Sequence, residues 1–324
     1  MPVRLVTYNR SEDIPQLPGV DAFHSTEAFK IFEKTSGHKA MFIVAYEDEK
    51  PIGKMLAVTR PLMRFSSFWT RTTVYGVGEY FNTEMKHELI FREIVSYLTS
   101  IFSDSTTVLE FRNLREALFG YKYFRENGFF PVRWIRVVNS IHHTKLDKWM
   151  SPIVKQHIES ALAKGAVMEV AKTHEEVEDF FRMMKNFYSS KFNRFFPDIS
   201  FFKSILSNDS DKLLGKIFLV KYNDRIIGGS VCVFSGENVY LLFSAGLRKS
   251  FPTLYPGTLA IWKAMLYSRE QGYRHLEFIN AGLPFHKFGY RDFILKFGGM
   301  QLGSRRWFRL KYPLLNRILI KLYV

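Results

Sequence analysis

Several polar side chains follow one predicted strand closely, and they are of the types that exchange protons or bind anions. The strand covers 274–279, and the residues that follow it include Asn280, His286, Tyr290, Arg291 and Lys296. An imidazole such as that of His286 exchanges a proton near neutral pH, and Arg291 can hold a phosphate or carboxylate group. Asn280 stands at the end of the strand, where it can either point into a cleft or cap a turn.

The elements that must position these residues occur twice in the chain. FIVAYEDEKPIG at 42–53 is echoed by FLVKYNDRIIG at 218–228, and VLEFRN at 108–113 by HLEFIN at 275–280. A looser echo links 124–137 with 293–310, and the three echoes keep the same order. The sequence therefore predicts a tandem duplication of one α/β unit, with a period far longer than the ~20–50 residues of a solenoid repeat.

Periodicity predicts the same succession of elements in both halves. In the first half we expect strands at 40–47, 52–60, 68–75, 107–112 and 130–138, with helices at 85–102 and 115–126. In the second half we expect helices at 151–164, 174–192 and 257–271, with strands at 216–222, 226–234, 238–245 and 274–279. We place the domain boundary in the polar stretch IHHTKLDKWMSP, which gives domains 1–145 and 146–324.

Composition narrows the class of protein. The chain has 324 residues, of which 47% are apolar, and this favours two compact domains over a disordered chain. The single Cys232 excludes a disulfide framework. Neither a signal peptide nor a spanning segment is recognisable, and we expect a monomer in the cytoplasm. Paired cysteines and HExxH are absent from the sequence, so no metal site is expected.

Positive charge is concentrated towards the C-terminus. Residues 1–145 hold 19 basic and 16 acidic residues, whereas 146–324 hold 27 and 15, and 283–324 hold 9 and 1. Such an excess favours a polyanionic partner such as RNA, a phosphorylated substrate or an anionic membrane. The segment from about 305 to 324 fits either an interfacial helix or a terminal strand and helix that pack back on the first domain.

The pattern resembles the GNAT acyltransferase superfamily. The resemblance rests on YPGTLAIWKAMLYSREQGYRHLEFINAG followed by YRDFILKFGG, and on SPIVKQHIESALAKGAVMEV between the two halves. Two such units in one chain look like the Fem family of peptidoglycan-bridge transferases. The resemblance implies an α/β (α+β) fold of two tandem GNAT-like units, each with a mixed, mostly antiparallel sheet flanked by helices.

The resemblance also implies an enzyme that moves an aminoacyl or acyl group from an activated carrier to an amine. In the Fem family the carrier is aminoacyl-tRNA and the acceptor is a peptidoglycan precursor, so we expect no tightly bound cofactor. Two alternatives stay open: an acyl-CoA-dependent N-acetyltransferase, and a non-catalytic binding protein that kept the fold. The acceptor can be phosphorylated or lipid-linked, and a lipid-linked acceptor would favour a peripheral contact of the protein with the inner face of the membrane.

Two motifs depart from the family pattern. The Fem ending reads FKxxFGG, but Ile294 stands here in the place of its Lys. If the segment is extended, Lys296 could take over the role of that Lys, because residues two apart on a strand share a face. In the loop Tyr255-Pro256-Gly257-Thr258, where CoA-dependent relatives bind pyrophosphate, Pro256 removes one backbone donor. Together with His286 and Asn280 after the strand at 274–279, Lys296 completes the set of catalytic candidates.

The predicted substrate-binding residues come from both units. FHSTEAFKIFEK resembles the Fem segment that contacts a substrate diphosphate, which implies this role for Lys30 or Lys34. Arg71 and Tyr75 end the third predicted strand and can line the same cleft. Tyr255, Tyr290 and Arg291 complete the set in the second unit.

Overall fold

The computed structural model describes residues 3–63, 66–81, 83–103, 105–114, 116–143, 145–189, 196–207 and 214–323. The helices are α1 Thr26–Lys34, α2 His87–Phe102, α3 Tyr121–Glu126, α4 Pro152–Ala163, α5 His174–Ser189, α6 Ile199–Leu206, α7 Pro256–Glu270, α8 Gly289–Leu295 and α9 Pro313–Tyr323. The strands are β1 Arg4–Tyr8, β2 Lys39–Glu47, β3 Lys50–Met63, β4 Ser66–Tyr75, β5 Glu79–Tyr80, β6 Val108–Arg112, β7 Phe130–Ser140, β8 Val167–Val170, β9 Gly215–Tyr222, β10 Arg225–Ser235, β11 Asn238–Gly246, β12 His275–Phe278 and β13 Met300–Leu310.

The chain divides into two compact units. Unit 1 comprises residues 1–134 and 303–324, and unit 2 comprises residues 135–302. The boundary predicted from the sequence fell at 145/146 instead. Residues 303–310 of β13 and all of α9 belong to unit 1, whereas residues 135–140 of β7 belong to unit 2.

The sheet of unit 1 has the strand order β1-β2-β3-β4-β6-β13, and β5 pairs with β3. Its strands are antiparallel except for the parallel pair β4 and β6. Helix α2 buries the apolar stripe that its periodicity predicts, with Ile90, Phe91 and Ile94 fully enclosed. They pack against Phe111 of β6 and Trp307 of β13, which form the core on this face of the sheet.

The sheet of unit 2 has the order β7-β12-β11-β10-β9-β8, in which only β11 and β12 are parallel. Helix α7 packs on β10 and β11 and supplies Leu259, Ile261 and Ala264 to the core. The leading hairpins of both units close on two residues with positive φ, Asp48-Glu49 and Asn223-Asp224. These are the left-handed positions that a two-residue hairpin turn requires, so the echo between the two halves is a repeated turn.

These features confirm the predicted fold class, since each unit is a mixed, mostly antiparallel sheet flanked by helices. Two details differ from the sequence prediction. The helix expected at 115–126 is shorter, at Tyr121–Glu126, and the segment around Ile294 is helix α8, so it lacks the extended conformation under which Lys296 could replace the family Lys. Residues 190–192 of the helix predicted at 174–192 lie outside the described residues.

Candidate active site

A β-bulge opens the sheet of unit 2 at one place. Along the antiparallel pair of β10 and β11, Cys232 faces Leu241 and Val231 faces Phe243, so Leu242 is an extra residue in β11. An extra residue bends a strand and increases its twist. The parallel pairing of β11 with β12 covers only Asn238–Leu241 and ends at this bulge.

Beyond the bulge the two strands follow different neighbours. Residues 243–246 of β11 stay paired with β10, whereas Gly282, after the end of β12, accepts a hydrogen bond from the backbone N–H of Ile135 at 2.9 Å. Residues 243–246 and 279–282 therefore continue beyond the end of the parallel ladder, and we call the place where the two segments part the wedge.

Unit 1 does not repeat this opening in the residues the structure describes. There β4 and β6 pair without interruption from Arg71–Val108 to Tyr75–Arg112. The pairing even extends past the strand, because the backbone N–H of Gly76 donates to the carbonyl of Arg112 at 2.8 Å. The wedge therefore distinguishes the second copy from the first.

The first turn of α7 lies directly against the end of β11. A Cβ atom on Gly246 would lie 2.4 Å from the backbone nitrogen of Gly257, and one on Gly228 would lie 2.9 Å from Pro256. Only glycine permits this approach. It brings the positive end of the α7 dipole, which attracts anions, to the mouth of the wedge.

Basic side chains meet this helix end. Tyr255, the residue before α7, has φ of 43° and stacks on His157 of α4, with ring centroids 3.6 Å apart. Partial burial lowers the pKa of His157, and the nearby charges of Arg248 and Lys296 lower it further. The structure thus brings two predicted residues, Tyr255 and Lys296, to one basic cluster. His157 and Arg248 are members that the sequence did not single out.

Lys296 does not replace the family Lys in the way an extended strand would allow. Ile294 is fully buried in the core of unit 2, whereas Lys296 is exposed at the C-cap of α8. Residues two apart on a helix point to different sides, so the extended alternative is wrong. The backbone carbonyl of Lys296 accepts a hydrogen bond from Ser151 at 2.8 Å, which fixes its place beside α4.

Helix α8 also carries a side chain to the wedge. The hydroxyl of Tyr290 lies 3.2 Å from the hydroxyl of Ser244, which belongs to the edge of the wedge in β11. The two groups share a hydrogen bond in which either oxygen can donate. Tyr290 is therefore a predicted residue that reaches the wedge, whereas its partner Ser244 was not singled out from the sequence.

Arg291 holds the loop that leads to α8. Its guanidinium group donates to the carbonyl oxygens of Ala281 at 3.2 Å, Leu283 at 2.7 Å and His286 at 2.5 Å. The side chain is only 9% exposed. Arg291 thus positions residues 281–286, while the ring of His286 itself is exposed in that loop and Asn280 is half-buried at its start.

The remaining predicted residues lie in unit 1. Lys30 and Lys34 are exposed on α1. Arg71 and Tyr75 lie on β4, where Arg71 forms an ion pair with Glu110 and the hydroxyl of Tyr75 accepts from Arg112 at 3.0 Å. Glu110 therefore connects both residues, a link that the separate motifs did not reveal. Within the described part of the chain, His, Cys, Asp and Glu form no group of three that could hold a metal ion.

Comparison with known proteins places this geometry in context. Residues 153–287 match the acetyltransferase (GNAT) domain family. No curated protein matches the sequence significantly. The match spans α4, the wedge and α7, so the second copy is the one that carries the family's features.

Solved structures extend the likeness over the whole chain. The structure is similar to FemX, with a TM-score of 0.64 and 14% identity over 94% of this chain and 95% of that one. It is similar to L-PGS from Bacillus licheniformis, with a TM-score of 0.57 and 10% identity over 91% and 92% of the two chains. A tandem GNAT protein from the clavulanic acid biosynthesis pathway gives a TM-score of 0.57 and 8% identity over 96% and 99%.

Proposed function

We propose that this chain, in which residues 153–287 match the acetyltransferase (GNAT) domain family and whose fold is similar to that of FemX and of a tandem GNAT protein, transfers an aminoacyl group from aminoacyl-tRNA to an amine of a phosphorylated cell-wall precursor or a similar acceptor. The observation that carries the proposal is the wedge, which opens in unit 2 beside the N-terminus of α7 and a basic cluster. A wedge of this kind admits an acyl group between two strands and keeps its carrier at the helix end.

The N-terminus of α7 favours a carrier that is held by basic side chains. Pro256 has no backbone N–H, and the N–H groups of Thr258 and Leu259 both donate to the carbonyl of Tyr255, at 2.9 and 3.1 Å. Few backbone donors are left to cradle a pyrophosphate, whereas Arg248 and Lys296 supply positive charge at the same end. Cationic side chains suit the phosphates at the end of a tRNA.

The reaction itself needs few groups. The neutral amine of the acceptor attacks the ester carbonyl carbon, a C–N bond forms, and the C–O bond to the ribose breaks. One proton leaves the amine and one reaches the ribose oxygen. Donors that face the developing oxyanion lower the barrier.

We assign roles to the side chains on this basis. Tyr290 reaches Ser244 at the edge of the wedge, so its hydroxyl can give a proton to the departing oxygen. Lys296 binds the phosphates of the carrier rather than reacting with the acyl group, because it lies with His157 at the helix end. Asn280 and His286 belong to the acceptor side, in the loop that Arg291 holds.

The acceptor's phosphate groups are expected in unit 1. Lys30 and Lys34 present two ammonium groups on α1, and Arg71 and Tyr75 lie on β4 beside the charged group of Glu110. These four residues are the proposed acceptor-binding set. Their charge is complementary to a phosphorylated molecule.

Helix α9 supports a peripheral contact with an anionic membrane. Its buried side is fixed by Asn316, which donates to the carbonyl of Gly128 and accepts from the N–H of Leu310, both at 2.9 Å. Its other side exposes Leu314, Ile318 and Leu322, with exposed fractions of 76%, 55% and 71%. Apolar residues in a stripe beside Arg317 and Lys321 are typical of an interfacial helix.

This membrane contact is tested with vesicles. The protein is expected to sediment with vesicles of phosphatidylglycerol but not with vesicles of phosphatidylcholine, and Ile318→Ser is expected to weaken the sedimentation. Equal sedimentation of the variant would contradict a contact through α9. None of the helices in the described ranges has both the length and the apolar character to cross a membrane.

The transfer reaction is tested with two donors in parallel. We expect the purified protein to transfer radiolabelled amino acids from a mixture of charged tRNAs to an amine-bearing acceptor extract, and Lys296→Ala to raise the KM for tRNA. Lys172→Ala is the matched control, because Lys172 is an exposed lysine of the same unit outside the site. Unchanged KM values in Lys296→Ala would contradict the role of this residue.

The rival donor is acyl-CoA, and the match to an acetyltransferase domain favours it. Thermal unfolding with acetyl-CoA separates the two. If acetyl-CoA raises the Tm and the protein transfers the acyl group from acetyl-CoA but not from charged tRNA, the donor is acyl-CoA and not aminoacyl-tRNA.

A further inference from the structure

Four arginines line up across one face of the unit 1 sheet. Arg60, Arg71, Arg112 and Arg306 come from the neighbouring strands β3, β4, β6 and β13. Arg60 lies directly opposite Arg71 in the ladder, and Arg112 lies directly opposite Arg306. Like charges at directly opposite positions destabilise a sheet, so this arrangement needs a reason other than the stability of the fold.

One carboxylate is shared among three of these arginines. Glu110 is fully buried and lies 3.4 Å from Arg71, 3.0 Å from Arg112 and 3.4 Å from Arg306. The four arginines and Glu110 carry four positive charges and one negative charge, a net of +3. Burial and, after it, the charge of Arg71 lower the pKa of Arg60 to about 10. These groups are therefore crowded with positive charge.

The second copy of the unit shows what the fold itself requires. There Glu277 occupies the position of Glu110 and pairs with one arginine, Arg136, at 2.6 Å. In unit 2 the ladder partners of Glu277 are Tyr240 and Val138. In unit 1 the ladder partners of Glu110 are Thr73 and Phe308. These registers define which positions of the two units are equivalent.

By these registers Arg136 corresponds to Arg306. The positions of Arg60, Arg71 and Arg112 are Ser235, Asn238 and Ile279 in unit 2. The same scaffold thus forms in unit 2 without arginine at these three positions. The three additional arginines distinguish unit 1 from unit 2.

We propose that this arginine row is a binding site for a phosphate or diphosphate group. The side chains of Arg71 and Arg112 are 27% and 16% exposed, whereas that of Glu110 is 0% exposed, so parts of both arginine side chains reach solvent while the carboxylate does not. The Nε atom of Arg71 is buried and has no hydrogen-bond partner. Planar guanidinium groups bind phosphate oxygens in pairs.

Aromatic rings border the row. Tyr75 accepts a hydrogen bond from Arg112 at 3.0 Å and stacks on Phe23, with centroids 5.4 Å apart. Arg306 lies over the ring of Trp134, 3.7 Å from its centroid. These contacts hold two of the guanidinium groups in fixed orientations, which reduces the entropy lost when an anion binds. That the anion belongs to the acceptor rests on the proposed acyl transfer, whereas the binding itself does not.

The binding is measured first with inorganic pyrophosphate in isothermal titration calorimetry, at constant ionic strength in chloride. Arg60→Gln and Arg71→Gln are each expected to weaken the affinity about 10- to 100-fold, as expected for losing one charge-assisted hydrogen bond. Arg92→Gln, an exposed arginine of unit 1 on α2, removes the same charge and should leave the affinity unchanged within about twofold.

Thermal unfolding keeps the test independent of folding defects. Without ligand, Arg60→Gln is expected to keep or raise the Tm, because it removes repulsion from Arg71. A purely structural arginine would lower it. Pyrophosphate should raise the Tm of the wild-type protein and not that of the variant. An equal rise in both proteins, or no binding by the wild type, would overturn the site.

Vesicles distinguish the source of the phosphate. If the group is a lipid headgroup, phosphatidylglycerol vesicles should compete with pyrophosphate in the Ile318→Ser protein, whose α9 contact is weakened. If it belongs to a soluble molecule, pyrophosphate should remain bound. Both results support the site. Acyl transfer is assayed separately, so a failure of that activity leaves the binding result standing.

Discussion

Replacing Gly246 by Ala tests whether the close contact between β11 and α7 sets the active geometry. The new Cβ would lie 2.4 Å from the nitrogen of Gly257 and 2.9 Å from the carbonyl carbon of Pro256, both backbone atoms that no rotamer can move aside. Ordinary contact begins near 3.4 Å, so the first turn of α7 must retreat by about 1 Å. Gly246 does not have positive φ, so the substitution adds no backbone strain.

The size of the effect follows from that displacement. Overpacking costs about 1–3 kcal/mol of unfolding free energy, and a misplacement of about 1 Å in a catalytic site can cost about 100-fold in rate. We expect Gly246→Ala to lower kcat/KM for the transfer about 10- to 100-fold. We also expect a lower denaturant midpoint in urea unfolding.

Gly257→Ala is the matched control. A Cβ on Gly257 meets nothing within 4 Å, although this residue stands on the other side of the same contact. A glycine replaced by alanine without strain stabilises a protein by roughly 0.4–1 kcal/mol, so this variant should stay active and be slightly more stable. Wild-type activity in Gly246→Ala, or equal losses in both variants, would refute the reasoning.

Three further changes test the buried groups and the wedge. Ile294→Lys restores the family residue at a fully buried position and should lower the unfolding free energy by more than about 4 kcal/mol. The control Ile294→Val should lower it by only about 0.5–1.5 kcal/mol. Equal urea midpoints for the two variants would contradict this expectation. Burial alone would raise the pKa of Glu110. The positive charges of Arg112, Arg306 and Arg71 outweigh this effect, and the pKa of Glu110 is about 2. Its contribution, on the order of 3 kcal/mol, is therefore present above pH ~4.3 and is lost as the pH falls towards 2, and Glu110→Gln should flatten that pH dependence in urea unfolding. Tyr290→Phe should lower kcat about 100-fold with a Tm within a few degrees of the wild type, and an unchanged kcat would exclude Tyr290 as the proton donor.

The candidate site was only partly predictable from sequence. The structure brings Tyr290 to Ser244 and brings Tyr255 and Lys296 near His157, whereas the roles of these residues in the reaction stay predictions. Arg291 was expected to hold a ligand, but its guanidinium group binds three carbonyl oxygens of its own loop. A side chain's type shows which bonds it can form, and the backbone around it decides which bonds it does form.

The arginine row illustrates the same limit. The echo of VLEFRN and HLEFIN already placed Glu110 and Glu277 at equivalent positions and set Arg112 against Ile279. The sequence did not reveal that Arg136 corresponds to Arg306. The echo between the two halves aligns their Arg-Trp dipeptides and therefore places Arg133 against Arg306. Only the ladder registers reveal it.

The sequence by itself determined the local features of this protein. It determined the two-residue hairpin turns, the apolar stripe of α2 and the order of elements in both halves, because these depend on residues a few positions apart. The tertiary structure alone decided that β11 bulges at Leu242, that Ile294 is buried and Lys296 exposed, and that three arginines surround Glu110. These features arise from strand register and from contacts between residues far apart in the chain, which no local pattern specifies.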